Sequence, residues 1–158
     1  MSVRADAETL RRIPIFADCE SVHLQLLAFA SERKKFATGV AIVMEGEQAG
    51  AAYLVLSGHA EIRQQKGKEW RTLARADPGS FLGEVAMIGK STYAITALAA
   101  VPVAAACIDH SLFLRVANEY PEFGQTVFAA LALRLEGSMR EFDRVRSQFA
   151  RGKSFVNL

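Results

Sequence analysis

The sequence predicts a mainly β protein with flanking helices, in which an antiparallel β-roll or jelly-roll is followed by a long C-terminal helix. Between residues 35 and 110, short β-like runs are separated by regularly spaced glycines, as in antiparallel strands joined by tight turns. Outside that region, apolar residues recur at the spacing of helices. We therefore expect a helical segment at 1–34, a β-roll at 35–110, and C-terminal helices and a tail at 111–158, all in one domain.

The N-terminal segment has the pattern of two short helices. The first is expected from Ala5 to Arg12, because Pro14 follows and proline does not continue a helix. Ser21 is expected to cap the second helix. That helix has one apolar face at three-and-four spacing, formed by Leu24, Leu27 and Ala28.

The central region contains four runs that end at turn signals. They read AIVME, AAYLVLS, HAEIRQQ and WRTLARA, and they end at Gly46, Gly58, Lys66-Gly67-Lys68 and Asp77-Pro78-Gly79. The stretch FLGEVAMIGKS then interrupts the pattern, and the runs YAITALAAV and VAAACID follow it, joined at Pro102. We expect each of these runs to form a strand.

The C-terminal region predicts two helices divided near Pro121. Alternating steps of three and four produce a heptad seam in the second, formed by Phe128, Leu131, Leu135, Ser138, Phe142, Val145 and Phe149. This seam predicts a homodimer through the last helix. A helix packed against its own domain is the alternative, and the periodicity leaves it open.

Composition and charge exclude several classes of protein. With 51% hydrophobic and 23% charged residues, the chain can bury a core without disulfides or metal. The net charge of +2 lacks the strongly basic signature of nucleic-acid binding. The polar N-terminus is not a signal peptide, and no apolar window would span a membrane, so we expect a cytoplasmic protein. Cys19 and Cys107, which lack C-x-x-C spacing, are expected to be buried thiols.

The residues of an enzyme active site are not grouped in this sequence. His23, His59 and His110 lie on separate predicted elements, so they do not form the ligand set of a metal-dependent oxygenase. The nucleophile-elbow pattern G-x-S-x-G is absent as well. We therefore expect a non-enzymatic protein without a metal or resident cofactor.

Three segments together resemble a known family. They are AIVMEGEQAGAAYLVLSGHAEI with its glycine turns, the F-L-G-E-V-A-M cassette, and the run PEFGQTVFAALALRL. In this order and spacing they resemble the cyclic-nucleotide-binding domain, in the bacterial Crp/Fnr effector-domain branch. The resemblance covers about Leu10 to Val145.

This resemblance implies a phosphate-binding cassette at 81–96. In the family the cassette reads F-G-E-L-A-L, four variable residues, then P-R-x-A-T. Its glycine lets the backbone approach the ligand, its glutamate accepts a hydrogen bond from the ribose 2′-hydroxyl, and its arginine pairs with the cyclic phosphate. By this alignment Gly83 and Glu84 match the G-E pair, whereas Tyr93 stands where the family has arginine. The ligand set that the resemblance implies is Gly83, Glu84, Val85, Tyr93, Ala94 and Ser138, the last as the contact to the purine.

Tyr93 weakens the expected binding of cAMP or cGMP. A charge-assisted hydrogen bond contributes about 1.5–3 kcal/mol, so its loss lowers affinity about ten- to a hundredfold at minimum. Lys90, in the same loop, is the nearest candidate for a substitute cation. A seam serine such as Ser138 has its own alternative role, as a small residue that lets two helices approach.

Two functions remain open at this stage. The chain is expected to be a regulatory sensor that binds a cyclic nucleotide weakly, or another anionic small molecule. The alternative is a ligand-free dimerisation and docking module with an unknown protein partner, or an effector-domain fragment of a Crp/Fnr-type transcription regulator. Because the sequence ends at Leu158, before a winged helix-turn-helix, we expect no specific DNA binding by this chain.

Overall fold

The computed structural model, which describes residues 2–134, places eight strands of this part of the chain in two antiparallel sheets. The N-terminal elements are α1 (Val3–Arg11), a 3-10 turn (Pro14–Phe16) and α2 (Ser21–Ala30). The strands are β1 (Glu32–Phe36), β2 (Ala41–Val43), β3 (Ala51–Ser57), β4 (Ala60–Lys66), β5 (Glu69–Ala76), β6 (Phe81–Leu82), β7 (Thr96–Ala99) and β8 (Val103–Asp109). The later helices are α3 (Glu84–Gly89), α4 (His110–Glu119) and α5, helical from 121 to 134. The predicted β-roll with flanking helices is confirmed.

Neither sheet follows the order of the chain. The first sheet has the strand order β1-β8-β3-β6 and the second β2-β7-β4-β5, so the chain passes repeatedly between them. One tight turn makes this crossing sterically specific. At Gly58, which has a φ of 76°, a Cβ atom would lie 2.2 Å from the carbonyl oxygen of Pro102. Only glycine fits between these two turns.

The first sheet separates two apolar cores. One core lies between this sheet and the helices, and its largest fully buried members include Phe16, Leu24, Leu27, Phe113 and Phe123. The other lies inside the roll between the sheets, and it includes Val43, Val55, Leu82, Tyr93 and Ala97. The cassette glycine follows β6, so the cassette begins at the edge of the first sheet.

The N-terminal helices form as predicted, with a difference at the start of each, and α1 begins at Val3 rather than at Ala5. Leu24 and Leu27 are fully buried, which confirms the predicted inner face of α2. Ser21, however, is the first helical residue and not the cap, a position taken by Glu20 without a side-chain hydrogen bond. The hydroxyl of Ser21 is instead engaged by the guanidinium of Arg11.

The strands differ from the predicted runs at several places, one of which is β6, a two-residue strand in the stretch expected to interrupt the pattern. The sequence ERKKF forms β1, so the predicted boundary at 35 was wrong and lies inside a strand. This strand was missed because β1 is an edge strand, paired only with β8, and its charged sequence has no apolar alternation. The AIVME run is a strand only as far as Val43, and the YAITALAAV run only from Thr96 to Ala99.

The two C-terminal helices divide next to Pro121, as predicted. Phe123 and Val127 of α5 are buried against the helical core, whereas Phe128 is 49% exposed. Leu131 packs partly against the same core. The remaining seam positions, Leu135, Ser138, Phe142, Val145 and Phe149, lie outside the described residues. None of the described helices combines the length and hydropathy needed to cross a bilayer.

Candidate functional site

The cassette begins where β6 ends and a short helix starts. Gly83 adopts the left-handed conformation, with a φ of 81°, and stands at the cap position of α3. A side chain in this conformation would be strained, which explains why glycine occupies the position. At the other end, Lys90 also has a positive φ of 52° and terminates α3. Helix α3, at the centre of the cassette, is therefore a short six-residue helix between two left-handed residues.

Tyr93 is fixed inside the roll by its side chain and its backbone. It is 8% exposed, and its hydroxyl donates a hydrogen bond to the carbonyl oxygen of Ala51 at 2.5 Å. Its amide donates to Glu47 O at 3.0 Å, and its carbonyl accepts from Gly46 N at 2.9 Å. Burial raises the pKa of the Tyr93 phenol, so the hydroxyl stays protonated and able to donate.

The Tyr93 ring lies directly against the cassette glycine. A Cβ atom on Gly83 would be 2.6 Å from Cε1 and 3.1 Å from Cδ1 of the tyrosine. The ring therefore packs beside the cap of α3, and residue 93 supplies no formal charge there. Glycine is required at position 83 for two reasons. Its backbone is left-handed, and a Cβ atom there would collide with the Tyr93 ring.

A positive charge nevertheless reaches the cassette from the last helix. The guanidinium Nη1 of Arg134 lies 3.0 Å from Oε1 of Glu84, which is 50 residues away in sequence. The Glu84 side chain is 14% exposed and that of Arg134 is 50% exposed. This ion pair connects the first residue of α3 to α5.

Arg134 was not among the site residues predicted from the sequence. It precedes Ser138 by four residues, and residues four apart in a helix lie on the same face. That spacing from the predicted purine contact was the signal available for finding it. The partner of Tyr93, the Ala51 carbonyl, had no such signal because it belongs to the main chain.

The other predicted site residues have more exposed positions. Val85 is 37% exposed on α3. Ala94 is exposed, and its carbonyl accepts a hydrogen bond from Nε2 of Gln64 at 3.3 Å. Lys90 is exposed at the end of α3 opposite to Gly83. The structure thus brings Gly83, Glu84 and Tyr93 together, whereas Ser138 lies outside the described residues.

The histidines remain apart in the described structure. His23 lies 3.6 Å from the carboxylate of Glu122, and Nδ1 of His110 is 2.8 Å from Met87 O. Among residues 2–134, no three His, Cys, Asp or Glu side chains are close enough to hold a metal ion together. The polar side chains at the cassette that suit hydrogen bonding to a ligand are therefore the Glu84 carboxylate and the Arg134 guanidinium, because the buried Tyr93 hydroxyl already donates to the Ala51 carbonyl.

Sequence comparison identifies relatives that are named as regulatory or receptor proteins. The family model of the cyclic nucleotide-binding domain matches residues 33–120. The cyclic AMP receptor protein of Thermus thermophilus is 28% identical over 135 residues, covering 85% of this chain and 62% of that protein. A cAMP-dependent protein kinase regulatory subunit of Colletotrichum orbiculare is 29% identical over 107 residues, covering 68% of this chain. The aligned part is 27% of that subunit, so the chain spans about a quarter to three fifths of these relatives.

Structural comparison agrees on the fold. The crystal structure of the N-terminal domain of a transcriptional regulator from Streptomyces coelicolor A3(2) superposes with a TM-score of 0.75. The match covers 82% of this chain and 94% of that domain, at 23% sequence identity. At this identity the similarity concerns the arrangement of helices and strands.

Proposed function

The chain belongs to the cyclic nucleotide-binding domain family, and on that premise we propose that it is a non-enzymatic regulatory sensor module with weakened affinity for cyclic nucleotides. The observation that carries the proposal is the position of Tyr93. Its buried, uncharged ring packs against Gly83 at the cap of α3. A left-handed Gly83 before a short helix supports a phosphate-binding turn here, but residue 93 supplies no countercharge.

The charge missing at position 93 determines which ligands suit the cassette, because the guanidinium of Arg134 is already paired with Glu84. A phosphate held without a countercharge loses about 1.5–3 kcal/mol relative to one paired with arginine. Ligands that depend less on this contact are affected less, because hydroxyl groups of a nucleoside-like molecule can still hydrogen-bond to Glu84. The module would accordingly bind cAMP or cGMP weakly, or another small anionic or nucleoside-like molecule.

The Glu84–Arg134 pair supplies a route from the ligand to the last helix. In the structure Glu84 accepts a hydrogen bond from Arg134 at 3.0 Å. A ligand hydroxyl that binds Glu84 would share or displace this contact, and so alter the interaction that connects α3 to α5. Since binding shifts a conformational equilibrium only through such differential contacts, this pair is where sensing would begin.

The second candidate is a docking module that needs no ligand. The Tyr93 ring also favours this docking function. It fills the interior beside Gly83, and its hydroxyl donates a hydrogen bond to the carbonyl oxygen of Ala51. In this function the domain would serve through dimerisation and contact with a protein partner. The length of the relatives is consistent with a third arrangement, in which the chain is the effector part of a longer Crp/Fnr-type regulator.

We place the dimer contact of either module on the last helix. Phe128 is 49% exposed, and Leu131 is only partly covered by the domain. These two residues begin the predicted heptad seam, so a second copy of the helix would cover the surface that they leave open.

Isothermal titration calorimetry tests the proposal. The wild-type chain is titrated with cAMP, cGMP and a cyclic dinucleotide, together with Glu84→Ala and the matched control Glu69→Ala, an exposed carboxylate on β5. We expect weak binding of at least one ligand, lost in Glu84→Ala and retained in Glu69→Ala. A folded wild type that binds none of the three would favour the docking module instead.

A further inference from the structure

Helix α2 is apolar on both of its faces, although the domain covers only one. Its sequence, SVHLQLLAFA, has few polar residues, which is typical of a helix buried on all sides. Leu24 and Leu27 face the core and are fully buried. On the other side Val22 is 54% exposed and Phe29 is 76% exposed, with the half-buried Leu26 between them.

These outward residues form a continuous stripe. Val22, Leu26 and Phe29 follow steps of four and three, so they lie along one face of the helix. Phe29 is the most exposed of the large apolar residues in the described part of the chain. A stripe of this kind marks an interaction surface more often than it marks ordinary solvent-exposed surface.

A recess lies beside the Phe29 ring, between α2 and α4. Its volume is about 150 Å³, and its lining includes Leu26, Phe29, Arg115, Val116, Glu119 and Tyr120. An apolar cavity of roughly 150 Å³ is large enough to hold one benzene ring. The recess therefore matches the size of a phenylalanine side chain, and one such side chain projects next to it.

The rim of the recess carries one charge of each sign. Arg115 and Glu119 both line it, and both are exposed. Neither forms an ion pair with another residue among those the structure describes. Two copies related by a two-fold axis would bring Arg115 of each copy towards Glu119 of the other.

We propose that this surface, the α2–α4 patch, binds a second copy of the chain through a two-fold contact in which Phe29 of each copy enters the recess of the other. A projecting ring, a recess of matching size and a pair of opposite charges all lie on the same patch. A two-fold interface requires such self-complementarity, because each surface must match itself. The incoming ring would also stack against the Phe29 that lines the recess. This contact is separate from the one proposed for the last helix.

Sedimentation velocity of the full chain at tens of micromolar tests the patch. The measurements are made in the wild type and in a Leu135→Asp background, which removes the proposed contact of the last helix. We expect Phe29→Asp to weaken one association step by roughly thirtyfold or more, as for a central interface residue. The matched control Val40→Asp changes an apolar residue that is 45% exposed outside the patch, and it should leave the mass unchanged.

A charge exchange tests the two-fold arrangement itself. Arg115→Glu and Glu119→Arg should each weaken the same association step, because like charges then face each other across the axis. The double variant carrying both changes should restore it. Circular dichroism and thermal melting confirm that each variant is folded.

Three results would overturn the proposal. One is a Leu135→Asp chain, otherwise wild type, that is only monomeric. Another is a Phe29→Asp variant with unchanged self-association. The last is a folded double charge variant that stays dissociated, which would exclude the two-fold contact and favour a different protein as the occupant of the patch.

Discussion

The Cα of Gly83 and the ring of Tyr93 are in contact so close that a Cβ atom on the glycine would lie 2.6 Å from Cε1. The two residues are ten positions apart in sequence and come from the two ends of the cassette. Their fit packs the start of α3 against the interior of the roll. The stability of the domain and the properties of the candidate site therefore depend on the same pair.

Gly83→Ala should destabilise the domain more than an alanine at a comparable glycine. The left-handed backbone alone costs about 1–2 kcal/mol, and displacement of the Tyr93 ring adds to it. Gly46→Ala is the matched control, since Gly46 has a φ of 87° but no atom within 4 Å of its added Cβ. Urea unfolding of both variants measures the difference. Equal losses would show that the ring contact contributes nothing.

Tyr93→Arg should raise affinity for cAMP or cGMP by about tenfold or more, the effect of one charge-assisted contact with phosphate. It should also lower stability by about 2–4 kcal/mol, because a buried ring and its hydrogen bond are lost. Tyr93→Phe is the control, which keeps the ring and adds no charge. Calorimetry should show a gain for arginine only, and Glu84→Ala in that background should remove much of it.

A folded Tyr93→Arg variant that binds no better than the wild type would mean that the cassette is not a nucleotide site lacking one residue. That result would support the docking module. Thermal melting of the same samples separates this result from unfolding.

The Glu84–Arg134 pair should show a small, salt-dependent coupling energy. A double-mutant cycle with Glu84→Gln and Arg134→Gln is expected to give about 0.5 kcal/mol, because the arginine is half exposed and solvent screens the interaction. The exposed pair Arg75–Asp77, whose atoms are 2.6 Å apart, is the control and should couple less. Coupling that survives molar salt undiminished would contradict this electrostatic account.

Leu135→Asp should remove the association step that we assign to the last helix, because it places a charge in the heptad seam. Leu133→Asp is the control, since Leu133 is 70% exposed and lies outside the seam. Light scattering at micromolar concentration should show a lower mass for the first variant only. An unchanged mass in Leu135→Asp would reject the seam as an interface.

The free energy of unfolding should fall between pH 9 and 11, partly because of the ionisation of the Cys19 thiol. Burial first, then the nearby Asp18 charge, raises the pKa of this thiol from 9.0 to about 11. In that interval the unfolded thiol loses its proton while the folded one keeps it, so the unfolded state is favoured as pH rises. Urea unfolding at several pH values should show a shallower decline in Cys19→Ala. The same slope in both proteins would assign the decline to other groups.

Sequence patterns predicted those helices and strands whose burial or turns are visible in the spacing of their own apolar residues and glycines. The inner face of α2 followed from apolar spacing, and the strands on either side of Gly58 followed from glycine turns. Strand β1 was missed because ERKKF has no apolar alternation, and its strand conformation depends on pairing with β8. The cap at Ser21 was wrong because several polar residues near a helix start can occupy the cap position.

The candidate site was predictable only in part for a related reason. Family spacing located Gly83, Glu84 and the tyrosine at position 93. It did not indicate that Tyr93 is buried with its hydroxyl on a main-chain carbonyl, because every residue has such a carbonyl. It also did not indicate Arg134, since this contact joins residues 50 positions apart and depends on how the strands and helix between them in sequence place α3 and α5.

The helical core has a consequence for synthesis on the ribosome. It joins residues near both ends of the described chain, such as Leu10 and Leu24 with Phe123 and Val127. Since the chain emerges N-terminus first, the part of the apolar face of α2 that α1 does not cover stays exposed until β8, α4 and α5 have been translated. Hairpins such as β4–β5, which pair neighbouring residues, can close early. We therefore expect nascent chains stalled before α5 to be cut by protease within α1 and α2, and chains that extend past α5 to be protected there.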